Sequence, residues 1–267
     1  MPRIDINDTS LYYEDTGPGS TGETIVFSHG LLWGTELFEP QIAALRARYR
    51  CIAWDHRGQG RSAADHRHCI GIELVWQDAV ALLDRLGVAD AHFVGLSMGG
   101  FVALRAAARR ADLVRKLVLI ETTIGPEPLE NVFRYRMLGA VSRVVGPRLA
   151  AGRVAGVMLG ASILRDPARK AEVARFTKLM TRRRDVWKAV NGVLDRAGVA
   201  QSELARIRAP TLVIVGDEDV ATPVAKAQQI VAAMAGSKLV TIPRAGHSST
   251  VEEPVAVTRA LTEFLES

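Results

Sequence analysis

Short apolar segments alternate with longer amphipathic segments along most of this chain. The apolar segments are residues 24–28, 51–54, 92–96, 117–120, 211–215 and 239–242. They are rich in Val, Ile and Leu, which is typical of strands buried on both faces of a sheet. Helical patterns follow at 41–47, 74–86, 99–110, 224–235 and 254–265. This alternation predicts an α/β fold, with a mostly parallel central sheet flanked by helices.

The first residues have a different pattern. Segments 3–7 and 11–15 flank the turn-like sequence Asn7-Asp8-Thr9-Ser10. Asn, Asp and Ser favour tight turns because their side chains hydrogen-bond to nearby backbone groups. We therefore expect an antiparallel hairpin at one edge of the sheet.

One connection between predicted strands is unusually long. Ninety residues separate Ile120 from Thr211, whereas loops between helices and strands usually take about 2–6 residues. Helical patterns occupy 130–145, 148–159, 167–180 and 185–194, and Asp166-Pro167 is a favourable start for the third helix. The sequence predicts a helical cap at residues 122–200, inserted in a core formed by residues 1–121 and 201–267.

Composition is typical of a soluble globular protein. The chain has 267 residues, of which 48% are hydrophobic, and a sequence pI of about 9.5. Its basic residues are dispersed, and the longest run is Arg182-Arg183-Arg184, so no stripe for nucleic acid is expected. The first residues lack the apolar core of a signal peptide, and no apolar run reaches transmembrane length. With only two cysteines, Cys51 and Cys69, the sequence predicts a cytoplasmic protein without a membrane partner.

The predicted cap carries most of the positive charge. Residues 122–200 contain 15 Lys and Arg but 6 Asp and Glu, a net charge of +9, so the remainder of the chain is at −4. This charge could favour a substrate with an anionic acyl group. The alternative is a solvated arginine-rich helix face, which is the more common situation because charged side chains are mostly exposed.

The strongest chemical motif is Gly95-Leu96-Ser97-Met98-Gly99, between a predicted strand and a predicted helix. The G-x-S-x-G motif requires this context, because the serine sits on a very tight strand-to-helix turn that lifts its Oγ clear of the sheet. Side chains two residues before and after the serine would clash, so glycines are needed there. We predict that Ser97 is a nucleophile.

A serine nucleophile needs a base. The chain has six histidines, namely His29, His56, His66, His68, His92 and His247. His247 follows the last predicted strand, at the carboxyl end where active sites of open α/β sheets lie, whereas His92 begins its strand at the opposite end. A metal site at His66, His68 and Cys69 lacks a second pair of ligands at a familiar spacing. His247 is therefore the predicted base, and no metal is predicted.

The acid should follow another strand end. Three carboxylates compete directly after the strand 211–215, namely Asp217, Glu218 and Asp219. We choose Asp219, which stands just before the next helix, while Asp217 could instead stabilise the turn and Glu121 is a more distant alternative acid. The order Ser97, Asp219, His247 then matches the Ser-Asp-His order known for this motif.

An oxyanion formed at the substrate carbonyl needs two preorganised N–H donors. One should be the amide of Met98, which follows the nucleophile. The second should come from the loop His29-Gly30-Leu31-Leu32-Trp33, and we choose Leu31. His29 would fix this loop by hydrogen bonds, and Leu32 and Trp33 would contact the substrate.

These motifs together resemble the α/β-hydrolase superfamily over essentially the whole chain. The residues that carry the resemblance are Phe27-Ser28-His29-Gly30, the segment from Asp55 to Ser62, Gly95 to Gly100, Gly216-Asp217-Glu218-Asp219 and Ala245-Gly246-His247. Within the superfamily, the chain is similar to bacterial carboxylesterases, perhydrolases and 3-oxoadipate enol-lactonases. The resemblance implies a four-helix cap, no cofactor and no metal.

The resemblance and the residues imply a serine hydrolase that cleaves carboxylic esters or lactones of small or medium size through an acyl-enzyme. Related dehalogenases use Asp where this chain has Ser97, and perhydrolases tend to have Pro where it has Leu32. Two alternatives stay open: C–C bond hydrolysis or perhydrolysis on the same scaffold, and a non-catalytic ligand-binding protein. Apolar residues that could either line the pocket or pack the cap helices are Trp33, Phe133, Met137, Leu138, Trp187 and Val190.

Overall fold

The structure is a computed structural model that describes residues 2–145, 147–182 and 186–267. The side chains of residues 138, 141–145 and 147–150 also lie outside the description. Its strands are β1 (Arg3–Ile6), β2 (Thr9–Asp15), β3 (Thr24–Ser28), β4 (Arg50–Trp54), β5 (Ala91–Leu96), β6 (Val114–Ile120), β7 (Thr211–Gly216) and β8 (Lys238–Ile242). All six predicted core strands and the edge hairpin are confirmed, with ends that differ by at most three residues.

These strands form a sheet in the order β1-β2-β4-β3-β5-β6-β7-β8. β2 pairs antiparallel with both β1 and β4, while β3 to β8 run parallel to one another. The inner parallel strands β3, β4, β5 and β7 are buried on both faces, which explains their continuous apolar sequences, whereas the edge strand β8 is largely half-buried or exposed. Because they are parallel, their carboxyl ends meet at one edge of the sheet, where the candidate site lies.

Helices cover both faces of the sheet. The core helices are α1 (Glu39–Leu45), α2 (Ile72–Arg85), α3 (Met98–Arg109), α9 (Gln201–Leu204), α10 (Val224–Ala233), α11 (Ser249–Glu252) and α12 (Pro254–Glu266). Helices α2, α3 and α10 pack on one apolar cluster, and α1 and α12 on the other. Successive β3 residues alternate between the clusters, with Ile25 and Phe27 on one face and Val26 on the other.

Between β6 and α9, the described part of residues 122–200, here called the helical segment, contains five more helices. They are α4 (Leu129–Val145), α5 (Pro147–Met158), α6 (Ala161–Arg165), α7 (Lys170–Met180) and α8 (Trp187–Leu194). Four were predicted, although residue 185 at the predicted start of α8 is outside the described ranges. A 3-10 turn at Pro167–Arg169 precedes α7, and Asp166 caps it as expected by accepting a hydrogen bond from the Ala168 amide at 2.8 Å.

The helical segment packs on the core through part of its apolar residues. Met158 and Phe176 join the cluster that contains Trp33, whereas Phe133 and Met137 on α4 are 71% and 51% exposed. Neither of these two side chains is core, and the side chain of Leu138 lies outside the description. In the described residues, no helix combines the length and apolar character needed to cross a membrane.

Candidate active site

The turn that carries Ser97 is strained and tightly packed. Ser97 has φ 51° and ψ −112°, a conformation that non-glycine residues rarely adopt. It joins the end of β5 directly to α3, and its amide donates to the Ile120 carbonyl at 2.8 Å. A side chain on Gly95 would collide with the Gly99 backbone, and one on Gly99 with the Ser28 backbone. The two glycines are therefore required by space, as the sequence predicts.

His247 lies within hydrogen-bond distance of both proposed partners. Its Nε2 is 2.9 Å from Ser97 Oγ, and its Nδ1 is 2.8 Å from Asp219 Oδ2. The network assigns the proton on Nδ1 to the bond with Asp219, which leaves Nε2 to accept from the serine hydroxyl. Ser97, His247 and Asp219 come from three separate loops and are 8%, 4% and 5% exposed. The structure thus brings together the three residues that sequence order selects.

The other two carboxylates of the Asp219 loop have different partners. Asp217 Oδ1 accepts the Arg244 amide at 2.7 Å, which stabilises the turn. Glu218 turns towards the helical segment and binds Ser162. Neither carboxylate has a hydrogen bond to His247 in the described structure.

Sequence analysis assigned no role to Thr222, which holds the Asp219 side chain in place. The Thr222 hydroxyl donates to Asp219 Oδ2 at 2.6 Å, and the amides of Ala221 and Thr222 donate to Oδ1 at 2.8 and 2.9 Å. An Asp whose side chain accepts amides two and three residues later is a common turn arrangement. The sequence Asp219-Val220-Ala221-Thr222 contains the signal from which this turn could have been predicted.

Electrostatics favour an ionised Asp219 beside His247. Burial alone would raise the pKa of Asp219, but the charge and hydrogen bond of His247, with hydrogen bonds from Glu121 and Thr222, hold that pKa well below its usual range. Burial alone would lower the pKa of His247, but Asp219 outweighs it, and the pKa lies above its ordinary value. Asp219 is therefore suited to stabilise an imidazolium.

Glu121 is a second buried carboxyl beside the acid. It follows β6 directly, is 0% exposed, and accepts the Gly216 amide at 2.9 Å. Burial first, then the charge of Asp219 and the hydrogen bond to it, raise the pKa of Glu121 well above its usual value. A hydrogen bond between two carboxyl groups needs one proton, and the raised pKa of Glu121 beside the lowered pKa of Asp219 favours that proton on Glu121. The residue considered as an alternative acid thus contacts the chosen acid rather than His247.

The loop after β3 lies directly beside the serine. A side chain on Gly30 would lie 2.9 Å from the Leu96 side chain and 3.5 Å from Ser97 Cβ, so the backbone approaches closely, as expected. The Leu32 amide already has a hydrogen-bond partner within the protein, since it donates to Gln59 Oε1 at 3.1 Å. Leu31 belongs to this loop and Met98 follows Ser97 directly, and their amides remain the predicted oxyanion donors.

His29 fixes this loop, as the sequence predicts. Its Nδ1 bonds to the Gly30 carbonyl at 2.7 Å, and its Nε2 accepts the His56 amide at 2.9 Å. The two imidazole rings stack with centroids 4.0 Å apart. Burial lowers the pKa of both histidines, so they are neutral at physiological pH.

The two residues predicted to contact substrate differ in exposure. Leu32 is half-buried, has φ 73°, and lines a small crevice with Gln59, Met180 and Arg182. Trp33 borders the same crevice but is 0% exposed, because its ring packs edge-on against Phe176 and its Nε1 donates to Ser248 Oγ at 3.2 Å. This burial favours a packing role for Trp33 beneath the site.

Two arginines of the helical segment lie at or near the surface and pair with acidic residues. Arg136 is 53% exposed and pairs with Asp195 at 2.5 Å. Arg182 is 27% exposed at the crevice and pairs with Glu36 at 2.8 Å. Nowhere in the described residues do three or more His, Cys, Asp or Glu side chains converge as a metal site would require.

Comparison with known proteins places this geometry in a family. A protein of Variovorax paradoxus strain S110 assigned as the carbamate hydrolase RutD is 30% identical over 263 residues, which are 96% of each chain. The enol-lactonase from Burkholderia xenovorans LB400 superimposes with a TM-score of 0.89 and 28% identity over 100% of both chains.

A thermophilic esterase from Thermogutta terrifontis, solved with malate bound, superimposes with a TM-score of 0.87 and 27% identity, covering 97% of this chain and 93% of the esterase. The sequence profile of the family described as serine aminopeptidase, S33, matches residues 19–254. The chain is therefore a hydrolase of the α/β-hydrolase superfamily and belongs to the serine aminopeptidase S33 family.

Proposed function

We propose that this chain is a serine hydrolase that cleaves carboxylic ester or lactone bonds of small or medium substrates. The observation that carries the proposal is the continuous chain of hydrogen bonds from Ser97 Oγ through His247 to Asp219, at 2.9 and 2.8 Å. A serine hydroxyl is a weak nucleophile unless such a base accepts its proton.

Each residue of the proposed site has its own role in the reaction. His247 Nε2 takes the Ser97 proton while Oγ attacks the substrate carbonyl, and the amides of Leu31 and Met98 bind the resulting oxyanion. His247 then protonates the leaving oxygen, which leaves an acyl-enzyme on Ser97. A water molecule deprotonated by His247 releases the acid and restores the serine. Asp219 holds the imidazole orientation throughout and stabilises its cation. The helical segment acts as a cap over this site.

Relatives and neighbours support this reaction type but differ in the bond that they cleave. The enol-lactonase and the esterase act on oxygen esters by name, which supports the ester and lactone proposal. The relatives named carbamate hydrolase favour a second candidate. A carbamate carbonyl forms the same tetrahedral oxyanion, so the same residues serve both reactions. One panel of substrates can also distinguish C–C bond hydrolysis, perhydrolysis and ligand binding without catalysis.

The first test is labelling by a fluorophosphonate probe, with hydrolysis of p-nitrophenyl esters from acetate to dodecanoate. Enol-lactones, simple carbamates, vinylogous diketones and acetate with peroxide complete the panel. We expect Ser97→Ala to abolish labelling and to lower kcat by about 10⁴-fold or more, because the nucleophile is lost. Ser237→Ala is the matched control, since the Ser237 hydroxyl donates to the Met234 carbonyl at 2.7 Å, at the amino end of β8 and away from the loop of His247 that follows its carboxyl end.

The acyl chain length of the ester with the highest kcat/KM would indicate the size of the acyl pocket. If carbamates are turned over in preference to esters and lactones, carbamate hydrolysis replaces ester and lactone hydrolysis as the proposed function. If neither probe nor substrate reacts with the wild type, the catalytic proposal is wrong. Ligand binding that persists unchanged in Ser97→Ala would then support a non-catalytic binding protein.

A further inference from the structure

One buried carboxylate holds both residues that flank His247. Glu252 lies on α11 and is 1% exposed. Its Oε1 accepts the amides of Gly246 and Ser248 at 3.1 and 3.0 Å. The backbone on each side of the proposed base is therefore fixed by the same side chain, which limits the positions available to the imidazole.

The second oxygen of the same carboxylate reaches the helical segment. Glu252 Oε2 accepts the amide of Gly160, which directly precedes α6, at 2.7 Å. The backbones of Gly160 and Gly246 are in contact: a side chain on Gly160 would lie 2.9 Å from the Gly246 amide, and one on Gly246 would overlap Gly160. At this contact, backbone meets backbone without an intervening side chain, so a displacement of Gly160 must move the loop of His247.

A second carboxylate makes a parallel connection from the loop of Asp219. Glu218 accepts the Ser162 amide at 2.7 Å and the Ser162 hydroxyl at 2.5 Å. These hydrogen bonds lower the pKa of Glu218. Glu218 and Glu252 thus bind the first turn of α6 from the two loops that supply Asp219 and His247.

The Glu252 carboxyl also affects His247 electrostatically. Burial raises the pKa of Glu252 to about 7, although its three backbone hydrogen bonds oppose the shift. When ionised, Glu252 raises the pKa of His247. Other charged groups nearby are Glu218, which shares the α6 turn, and Arg169, whose guanidinium donates to the Glu252 carbonyl at 2.9 Å.

We propose that Glu252 is a positioning residue that keeps His247 within bonding distance of Ser97 and couples this geometry to the placement of the helical segment. The inference rests on the proposed serine hydrolase function. It assigns to Glu252 a contribution to the chemical step, through His247, in addition to any contribution to folding.

The decisive variant is Glu252→Gln, compared with Glu253→Gln. The amide keeps the size of the side chain but replaces one acceptor oxygen by a donor, so it cannot satisfy all three backbone amides. Glu253 is the matched control, because it is adjacent and pairs only with Arg169 at 3.9 Å and Arg244 at 3.5 Å in the described structure.

We expect Glu252→Gln to lower kcat and the rate of fluorophosphonate labelling about 10- to 100-fold, the scale of effect when a catalytic group is displaced by about 1 Å. KM should change less than kcat. The acid limb of the kcat/KM profile should move to lower pH, because a negative charge near His247 is removed. A purely structural role would not move this limb. Glu253→Gln should match the wild type in kcat, KM, labelling rate and the position of the acid limb.

A second variant keeps Glu252 and tests the coupling from the other side. Gly160→Ala places a methyl group against Gly246 and both carboxylates, and should slow labelling of Ser97 although it changes no residue of the proposed triad. Far-UV circular dichroism and thermal melting establish that each variant is folded before its rate is compared.

If Glu252→Gln or folded Gly160→Ala labels at the wild-type rate, or the acid limb of Glu252→Gln is unmoved, the inference is overturned. Its failure differs from failure of the proposed function. If only the inference about Glu252 fails, the probe still labels the wild type at Ser97. If the proposed function fails, the probe does not label the wild type at all.

Discussion

His247 is the side chain whose protonation controls the proposed reaction, since only the neutral imidazole can accept the serine proton. Asp219 raises the pKa of His247 above its ordinary value of 6.5. The raised pKa extends the inactive protonated form to higher pH. Activity should therefore increase with rising pH through a transition above pH 6.5.

This pH dependence can be measured as kcat/KM for a p-nitrophenyl ester between pH 5 and 9, because that ratio follows ionisation of the free enzyme. Asp219→Asn removes the negative charge beside His247, so the midpoint of the acid limb should move to lower pH. The same variant should lower kcat by about 10⁴-fold. An acid limb with its midpoint below 6.5 in the wild type would contradict the stabilisation of the imidazolium by Asp219.

Glu121 provides a second prediction for a single side chain. If its carboxyl is neutral, Glu121→Gln replaces it by a group of the same shape that can accept from the Gly216 amide and donate to Asp219. We expect this variant to keep kcat within a few-fold of wild type. Glu121→Ala should lose about 3 kcal/mol of unfolding free energy, because it leaves a cavity and an unpaired amide.

Urea unfolding and ester hydrolysis of the two Glu121 variants, measured side by side, provide the test. Strong inactivation of folded Glu121→Gln would mean that the carboxyl is ionised and that its charge is needed. The neutral hydrogen-bond donor inferred from the structure would then be wrong.

Sequence reasoning selected Ser97 and His247 from local signals, and the structure places Ser97 Oγ 2.9 Å from His247 Nε2. The serine needs glycines at two fixed positions, and the histidine follows the last strand. The choice among Asp217, Glu218 and Asp219 was less constrained, because all three lie on one short loop and only tertiary contacts distinguish them. Glu252 had no local signal, since its three partners include Gly160, which is 92 residues away.

At the level of elements, long periodic segments were predictable and very short helices were not. The predicted helices of the core begin and end within two residues of the observed ones. The three short helices α6, α9 and α11 were missed, because four or five residues are too few to show a helical period. The first turn of α6 is held instead by Glu218 and Glu252 from the core, and Glu252 itself belongs to α11. Tertiary hydrogen bonds therefore support an element that its own sequence does not specify.

The length of the connection after β6 was the reliable sign of the helical segment, whereas its apolar pattern was misleading. Phe133 and Met137 have helical spacing, which usually marks buried residues, yet both are exposed. A sequence records the period of apolar residues but not which helix face meets the core.

Across the whole molecule, charge is divided unevenly. Residues 122–200 carry +9 and the remainder −4. A positive region near the site should attract anionic substrates at low ionic strength, where the Debye length is about 30 Å, and much less at physiological ionic strength, where it is about 8 Å. We expect kcat/KM for a p-nitrophenyl hemisuccinate to fall as salt rises, while kcat/KM for the neutral butyrate changes little.

The comparison of the two esters from about 10 to 500 mM NaCl decides between the two interpretations of the charge. Parallel salt profiles would identify the arginines as a solvated surface without influence on the substrate. A steeper decline for the anionic ester would support an acyl group that carries a carboxylate.

The two ends of the helical segment lie side by side, since the Val199 amide donates to the Ile124 carbonyl at 2.8 Å. Because its entry and exit are already adjacent, the intervening chain spans no distance across the core. Its length and helix arrangement can therefore change at little entropic cost to the sheet. The helical segment can therefore be exchanged without rebuilding the core. A segment from a relative, joined at Ile124 and Val199, should change the substrate preference while Ser97, His247 and Asp219 stay in place.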